Sequence, residues 1–335
     1  MRRFLKGLAK ALAALTLGLA GLWLIAAMHY HPPFGGATIA AQIAAGALAL
    51  AGAASVWGTR LRPALYAFLV VMAGAVVWWS QIKPDGSRTF APELARVISY
   101  KIDGDVLSVD NVRNFDWRSE TDYTERWETR SYRLSELEGV DVYAIYWMGP
   151  AIAHVIVSYG FKGGERLAFS IEVRYGPSDS YSLVTGFFKV NQLLYVAADE
   201  RDLFAIRHWR KDDPYLLRTR ISADGARKLL LAYLDSGAAI AAHPRFYNTA
   251  TTNCTTEIFR LVRTVSPNAD WDWRVLASGY LPDLLYEAGA LNTNYTLAEL
   301  RGLGRLEPYG PPFPEGKAFS EMVRRRAPAA FAPRD

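Results

Sequence analysis

Residues 151–174 read AIAHVIVSYGFKGGERLAFSIEVR, and the pairing of this stretch decides the architecture around it. Two runs rich in β-branched and aromatic residues flank Lys162-Gly163-Gly164, whose glycines suit a three-residue turn with a bulge. Centring the turn on Gly163 pairs Val155 with Ile171, Val157 with Phe169 and Tyr159 with Leu167, giving the hairpin one wholly apolar face. The same register sets His154 opposite Glu172 on the other face, where a carboxylate can hold one ring nitrogen and leave the other free. Two readings stay open for that pair: a base with its orienter, or an ion pair without function.

Working outward, residues 140–147 form a strand that Met148-Gly149-Pro150 ends, and residues 97–102 and 105–109 alternate around Asp103-Gly104 as another hairpin. Residues 111–133 are polar and aromatic (Asn114, Phe115, Asp116, Trp117, Arg118, Glu120, Asp122, Tyr123) without a steady period. They read as a long ordered loop, either lining a site or making a solvated excursion. Further on, residues 182–198 read as a helix, 203–210 and 215–221 as strands, and 223–234 as a helix after the capping residues Ser222 and Asp224. The layout is α+β.

The only cysteine lies in Tyr247-Asn248-Thr249-Ala250-Thr251-Thr252-Asn253-Cys254-Thr255-Thr256-Glu257-Ile258-Phe259. Hydroxyl and amide residues run up to Cys254 and an apolar helical pattern (Ile258, Leu261, Val262) leaves it, so the thiol belongs in the first turn of a helix ending near Val265. Backbone N–H groups and the helix dipole there favour thiolate over thiol, as a nucleophilic cysteine requires. The alternative is a buried structural cysteine, against which the flanking threonines and asparagines are poor core neighbours. One cysteine excludes an internal disulfide and a cysteine-based zinc site. His208 and His243 lack a carboxylate-bearing strand partner or metal-type spacing and read as surface residues, so neither a metal nor a cofactor is expected. The Tyr-, Gly- and Pro-rich residues after Leu281 read as ordered coil.

The 335 residues are 51% hydrophobic, and three apolar runs, 8–30, 37–57 and 63–79, are long enough to cross a bilayer. Residues 1–83 are thus expected to be a membrane domain with three transmembrane helices, and 84–335 one globular domain. Arg2, Arg3, Lys6 and Lys10 before the first run, and Arg60 and Arg62 between the second and third, belong in the cytoplasm, which puts everything beyond Lys83 outside it. Ala- and Gly-rich surfaces on the first two spans suit close helix packing, and the absence of mid-span ionisable residues argues against transport. The net charge of +5 is spread along the chain, with no nucleic-acid footprint.

Taken together, Asn111-Val112-Arg113-Asn114-Phe115, Gly149-Pro150-Ala151-Ile152-Ala153-His154, Ala168-Phe169-Ser170-Ile171-Glu172 and the Cys254 stretch resemble the Lnb-type N-terminal periplasmic domain family, over roughly residues 97–265. The resemblance implies a circularly permuted papain-like, or cell-wall-peptidase-like, fold in which the histidine strand precedes the cysteine helix. It also implies Cys254 as nucleophile, His154 as base and a place in the bacterial inner membrane with the domain in the periplasm. The family's namesake activity is N-acylation of lipoproteins, although here the membrane helices precede the domain and in the namesake they follow it.

Three functions are consistent with these residues. An acyltransferase would take an acyl group from a phospholipid onto Cys254 and pass it to an amine such as a lipoprotein N-terminus. A thiol amidase or peptidase would use the same residues on a cell-wall peptide with water as acceptor. A catalytically silent envelope module would bind through its aromatic surface. In both enzymes Glu172 orients His154, backbone N–H groups at the start of the cysteine helix form an oxyanion hole, and Asn253, with Asn248 and Tyr247, supports it.

Overall fold

The structure, a computed structural model, describes residues 1–179, 182–306 and 310–325. The chain divides into two compact units: Met1–Asp85 with Ser182–Val190, and Gly86–Tyr181 with Asn191–Asp335.

In the first unit the three apolar runs are helices α1 (Arg2–Tyr30), α2 (Thr38–Ala54) and α3 (Arg62–Gln81), each long and apolar enough to cross a membrane. Small residues bring α1 and α2 together: a Cβ on Gly21 would lie 2.3 Å from the Ala49 methyl, too close to be tolerated. The short segment Ser182–Val190 packs with these helices. His31 Nε2 lies 2.7 Å from the carbonyl of Phe188, whose ring stacks on Tyr30. Lys189 donates to the carbonyl of Trp79 at 2.7 Å, satisfying an acceptor at the C-terminal end of α3.

The second unit is built on an antiparallel-dominated sheet. Its strands are β1 (Ser99–Asp103), β2 (Val106–Arg113), β3 (Asp116–Trp117), β4 (Tyr123–Thr124), β5 (Trp127–Arg133), β6 (Leu137–Tyr146), β7 (Ala153–Phe161), β8 (Arg166–Arg174), β9 (Gln192–Ala198) and β10 (Asp213–Arg218). Eight of them form one sheet in the order β1-β2-β9-β8-β7-β6-β10, with β5 on β2, and β3 pairs with β4 apart from it. Six helices accompany them among the described residues: α4 (Glu200–Trp209), α5 (Ala223–Ala242), α6 (Cys254–Val265), α7 (Leu281–Glu287), α8 (Leu297–Gly304) and α9 (Lys317–Arg324).

Strand alternation sends side chains to two apolar layers. Val157, Tyr159, Leu167, Phe169 and Ile171 share one layer with Tyr195 of β9, Leu230 and Tyr233 of α5 and Leu261 of α6. Ile156, Ala168, Leu194 and Val196 face the other, with Phe204 of α4, Leu300 of α8 and Phe319 of α9. The hairpin register is the one read from the sequence, with Val157 opposite Phe169 and Tyr159 opposite Leu167, and Gly163 takes a φ of +80° at the turn.

Several sequence expectations fail, each for a physical reason. Residues 192–198 are strand β9, not the end of a helix. QLLYVAA is buried along its whole length, so it shows no alternation, and a buried apolar run does not reveal its own period. Residues 203–209 lie in helix α4, which Arg210 caps, and not in a strand. Asp199 caps it by accepting from the N–H of Arg201, and its buried charges Glu200, Arg201, Asp202 and Arg207 hide the amphipathic pattern.

Residues 111–133 are mostly strand and packed aromatics, not a loop. Phe115 and Trp117 are buried with Ala205 and Ile206 of α4, and Arg113 donates from Nε and Nη2 to Asp202 at 2.9 and 2.7 Å. The tail after Leu281 carries helices α7, α8 and α9. His208 is half-buried against the Phe313 ring, whereas His243 is exposed.

A buried ionic cluster ties α9 into the second layer. Glu200 Oε1 accepts from Ser158 Oγ at 2.5 Å and from Arg324 Nη2 at 2.7 Å, while Arg324 and Arg166 also meet Asp141 Oδ2 at 2.6 and 3.0 Å and Arg218 pairs with the same carboxylate. Both carboxylates are buried, so each needs these partners to remain charged.

Candidate active site

The site forms at the end of β7, where its ladder with β8 stops. The last pair there is Ile156 and Ser170. One residue beyond it, the backbone N–H of Val155 favours the thiolate of Cys254. Cys254 packs against the layer that holds α5 and α6, whereas His154 shares the opposite face of β7 with Ile156. The thiol and the imidazole lie close enough for each to shift the titration of the other.

Cys254 is the first residue of α6, and its position is fixed by the turn before it. Asn253 caps the helix: Oδ1 accepts from the N–H of Thr256 at 2.9 Å and from the Thr255 hydroxyl at 3.1 Å. Its Nδ2 donates to the carbonyl of Thr249 at 2.7 Å, so the amide is committed to the loop and not aimed at an oxyanion. Asn248 exchanges backbone hydrogen bonds with Thr252, and its Oδ1 accepts from the N–H groups of Ala250 and Thr251, both at 3.0 Å. Tyr247 is buried, its N–H donating to the carbonyl of Asn191 at 3.0 Å. These three sequence-selected residues build the loop that presents the thiol. A fourth support was not singled out: buried Glu257, one turn along α6, accepts from the Tyr195 hydroxyl of β9 at 2.6 Å and pairs with Arg245 and Arg260.

His154 Nε2 lies 3.4 Å from Glu172 Oε1, although the ladder ends at Ile156 and Ser170, before the expected Val155–Ile171 and His154–Glu172 pairs. Its nearer partner is Ser170, whose Oγ is 2.7 Å from Nε2 and donates to Glu172 Oε1 at 2.5 Å. Ser170 could have been found from the sequence, because it stands two residues before Glu172 and so on the same face. Arg207 of α4 donates to the same Oε1 at 3.1 Å and lies 3.7 Å from Asp212. Reading α4 as a strand hid that contact. The start of β7 is strapped by residues after α6: the Ala153 N–H donates to Ser278 Oγ and the Gly279 N–H to the Ala151 carbonyl, both at 3.0 Å. Only glycine fits at 279, since a Cβ would lie 2.1 Å from the Pro150 carbonyl oxygen.

The electrostatics follow from this packing. Burial pushes the Glu172 carboxyl up, but His154, Arg207 and Ser170 outweigh it and hold the group well below the usual carboxylate range. Burial pushes the His154 ring down, yet the Glu172 charge and the bond to Cys254 raise it to about 9. Burial likewise pushes the thiol up, while the His154 hydrogen bond and charge and the Val155 N–H bring it below its ordinary value. Both shifts run towards a thiolate beside an imidazolium, an arrangement able to attack an electron-poor carbon and protonate a leaving group.

Residues 123–279 match the family of the Lnb N-terminal periplasmic domain, a span that contains His154, Ser170, Glu172, Arg207 and Cys254. Neither the comparison with curated proteins nor that with solved structures gives a match.

Proposed function

We propose that this chain is a membrane-anchored thiol enzyme whose domain works on the periplasmic side of the bacterial inner membrane, and that it transfers acyl groups through a thioester on Cys254. The observation that carries the reading is Cys254 at the first turn of α6 beside His154, each shifting the other's titration, with Ser170 and Glu172 behind the ring. The three apolar helices and the match to a periplasmic domain family support the location. The charges before α1 and between α2 and α3 support the orientation. A histidine strand preceding a cysteine helix supports kinship with permuted papain-like enzymes.

In the first half-reaction the Cys254 thiolate attacks the ester carbonyl of a phospholipid; the C–S bond forms, the C–O bond breaks, and His154 gives its proton to the departing alkoxide. In the second, an amine attacks the thioester; the N–C bond forms, the C–S bond breaks, and His154 takes the amine proton as the thiolate is restored. Backbone N–H groups at the start of α6 would hold the oxyanion in each step. Glu172 would orient the ring and stabilise the imidazolium without itself becoming protonated.

Mass spectrometry of the Cys254 adduct trapped from cell envelopes tests the reading. A fatty-acyl mass is expected. A peptide mass would replace acyl transfer with amidase or peptidase chemistry on cell-wall peptides, and a thiol that carries neither and resists alkylation would leave a silent binding module.

A further inference from the structure

We propose that Ser170 is a positioning residue of this site: its hydroxyl is the link through which Glu172 acts on His154, and it fixes which ring nitrogen faces the thiol. The proposal rests on the reading of Cys254 and His154 as nucleophile and base, and it assigns a role to a residue that the hairpin pattern left out.

The argument is one of hydrogen counting. A serine hydroxyl has a single hydrogen to give. Ser170 Oγ has two neighbours within hydrogen-bond reach, Glu172 Oε1 at 2.5 Å and His154 Nε2 at 2.7 Å. Glu172 is an ionised acceptor, with Arg207 donating to the same oxygen, so the hydroxyl hydrogen belongs to the carboxylate. Ser170 must then accept from the ring, which places a hydrogen on Nε2 whether the ring is neutral or charged. Nδ1 is the nitrogen left to exchange a proton with Cys254. Were the hydroxyl turned to donate to Nε2, a neutral ring would carry its hydrogen on Nδ1 and have no lone pair for the thiol.

The direct His154–Glu172 separation of 3.4 Å is longer than a normal N–H···O bond, so the carboxylate holds the ring through the hydroxyl. The charged or titratable groups around the ring are Cys254 of α6, Glu172 of β8, Arg207 of α4 and Asp212 after it; Ser170 is the uncharged one among these partners.

The test follows the pH dependence of Cys254 alkylation by iodoacetamide in the full-length protein, with circular dichroism to confirm folding. Ser170→Ala is expected to raise the midpoint towards the ordinary thiol value and slow alkylation at pH 7 by about tenfold, the worth of one hydrogen bond to a charged network. Glu172→Gln added to Ser170→Ala is expected to cost less than Glu172→Gln alone, because the part of its effect carried by the hydroxyl is already lost and only the direct effect of its charge remains, and fully additive losses would overturn the relay.

A serine that only fills space would lower the melting temperature without moving the midpoint. Nitrogen-15 spectra of histidine-labelled wild-type protein give a readout independent of any variant: neutral His154 should carry its proton on Nε2, and a proton on Nδ1 would overturn the proposal. An ordinary midpoint in the wild type would overturn both this role and the nucleophile assignment. A low wild-type midpoint that Ser170→Ala leaves in place would overturn the role of Ser170 alone.

Discussion

Asn253 and Thr256 cap the start of α6 reciprocally: the Asn253 carboxamide oxygen accepts from the Thr256 N–H at 2.9 Å, and the Thr256 hydroxyl accepts from the Asn253 N–H at 2.8 Å. This box fixes the first turn on which Cys254 sits. Asn253→Ala should therefore cost about 1 to 2 kcal/mol of stability. It should also slow thiol alkylation, because the loop bond to Thr249 is lost with the cap. Asn253→Asp, which keeps the capping oxygen, should retain most of the stability in denaturant unfolding. Equal losses in both variants would contradict the capping role.

The buried cluster predicts where the domain is brittle. Arg324→Met removes the guanidinium shared by Asp141 and Glu200 and should destabilise the protein by about 3 to 5 kcal/mol, since a buried carboxylate is left short of its partner. Asp141 and Glu200 are both held below their ordinary values of 3.8 and 4.5. Their contribution is thus complete above those values and is lost as pH falls towards the folded ones. Acid unfolding followed by tryptophan fluorescence should begin below about pH 4.5 in the wild type and at higher pH in Arg324→Met. Coincident acid transitions would count against the cluster.

His154 has the opposite sign. Its folded value of about 9 lies above the ordinary 6.5, so the imidazolium contributes in full below 6.5 and its contribution is lost as pH rises through 9. Cys254 is shifted the other way and offsets this in the wild type, so the melting temperature should fall between those limits in Cys254→Ser and fall less when Glu172→Gln is added, where the main charge that raises the ring is gone. An identical pH dependence in the two proteins would show that Glu172 does not set the state of the ring.

Much of this was legible in the sequence because local chemistry and burial agreed. The register around Gly163 needed only the alternation of Val157, Tyr159, Leu167 and Phe169, and the start of α6 needed only the polar run up to Asn253. What escaped notice lies where burial removes the pattern. Strand β9 is buried on both faces and carries no period, and α4 buries Asp202 and Arg207 as ion-pair partners, so its polar side chains mark contacts and not solvent. Arg207 could not be brought to Glu172 without the tertiary fold. Ser170 was within reach, but a serine between apolar neighbours does not declare that a histidine stands beside it.

The state of the Cys254 thiol tests the central claim most directly, and the protein's single cysteine makes it measurable by intact mass after timed alkylation across pH 5 to 10. Wild-type protein should alkylate with a midpoint well below the ordinary value of about 8.5, and His154→Ala should return the midpoint to that value or above it. A midpoint near 8.5 in both proteins would contradict the thiolate–imidazolium pair and, with it, the assignment of Cys254 as nucleophile.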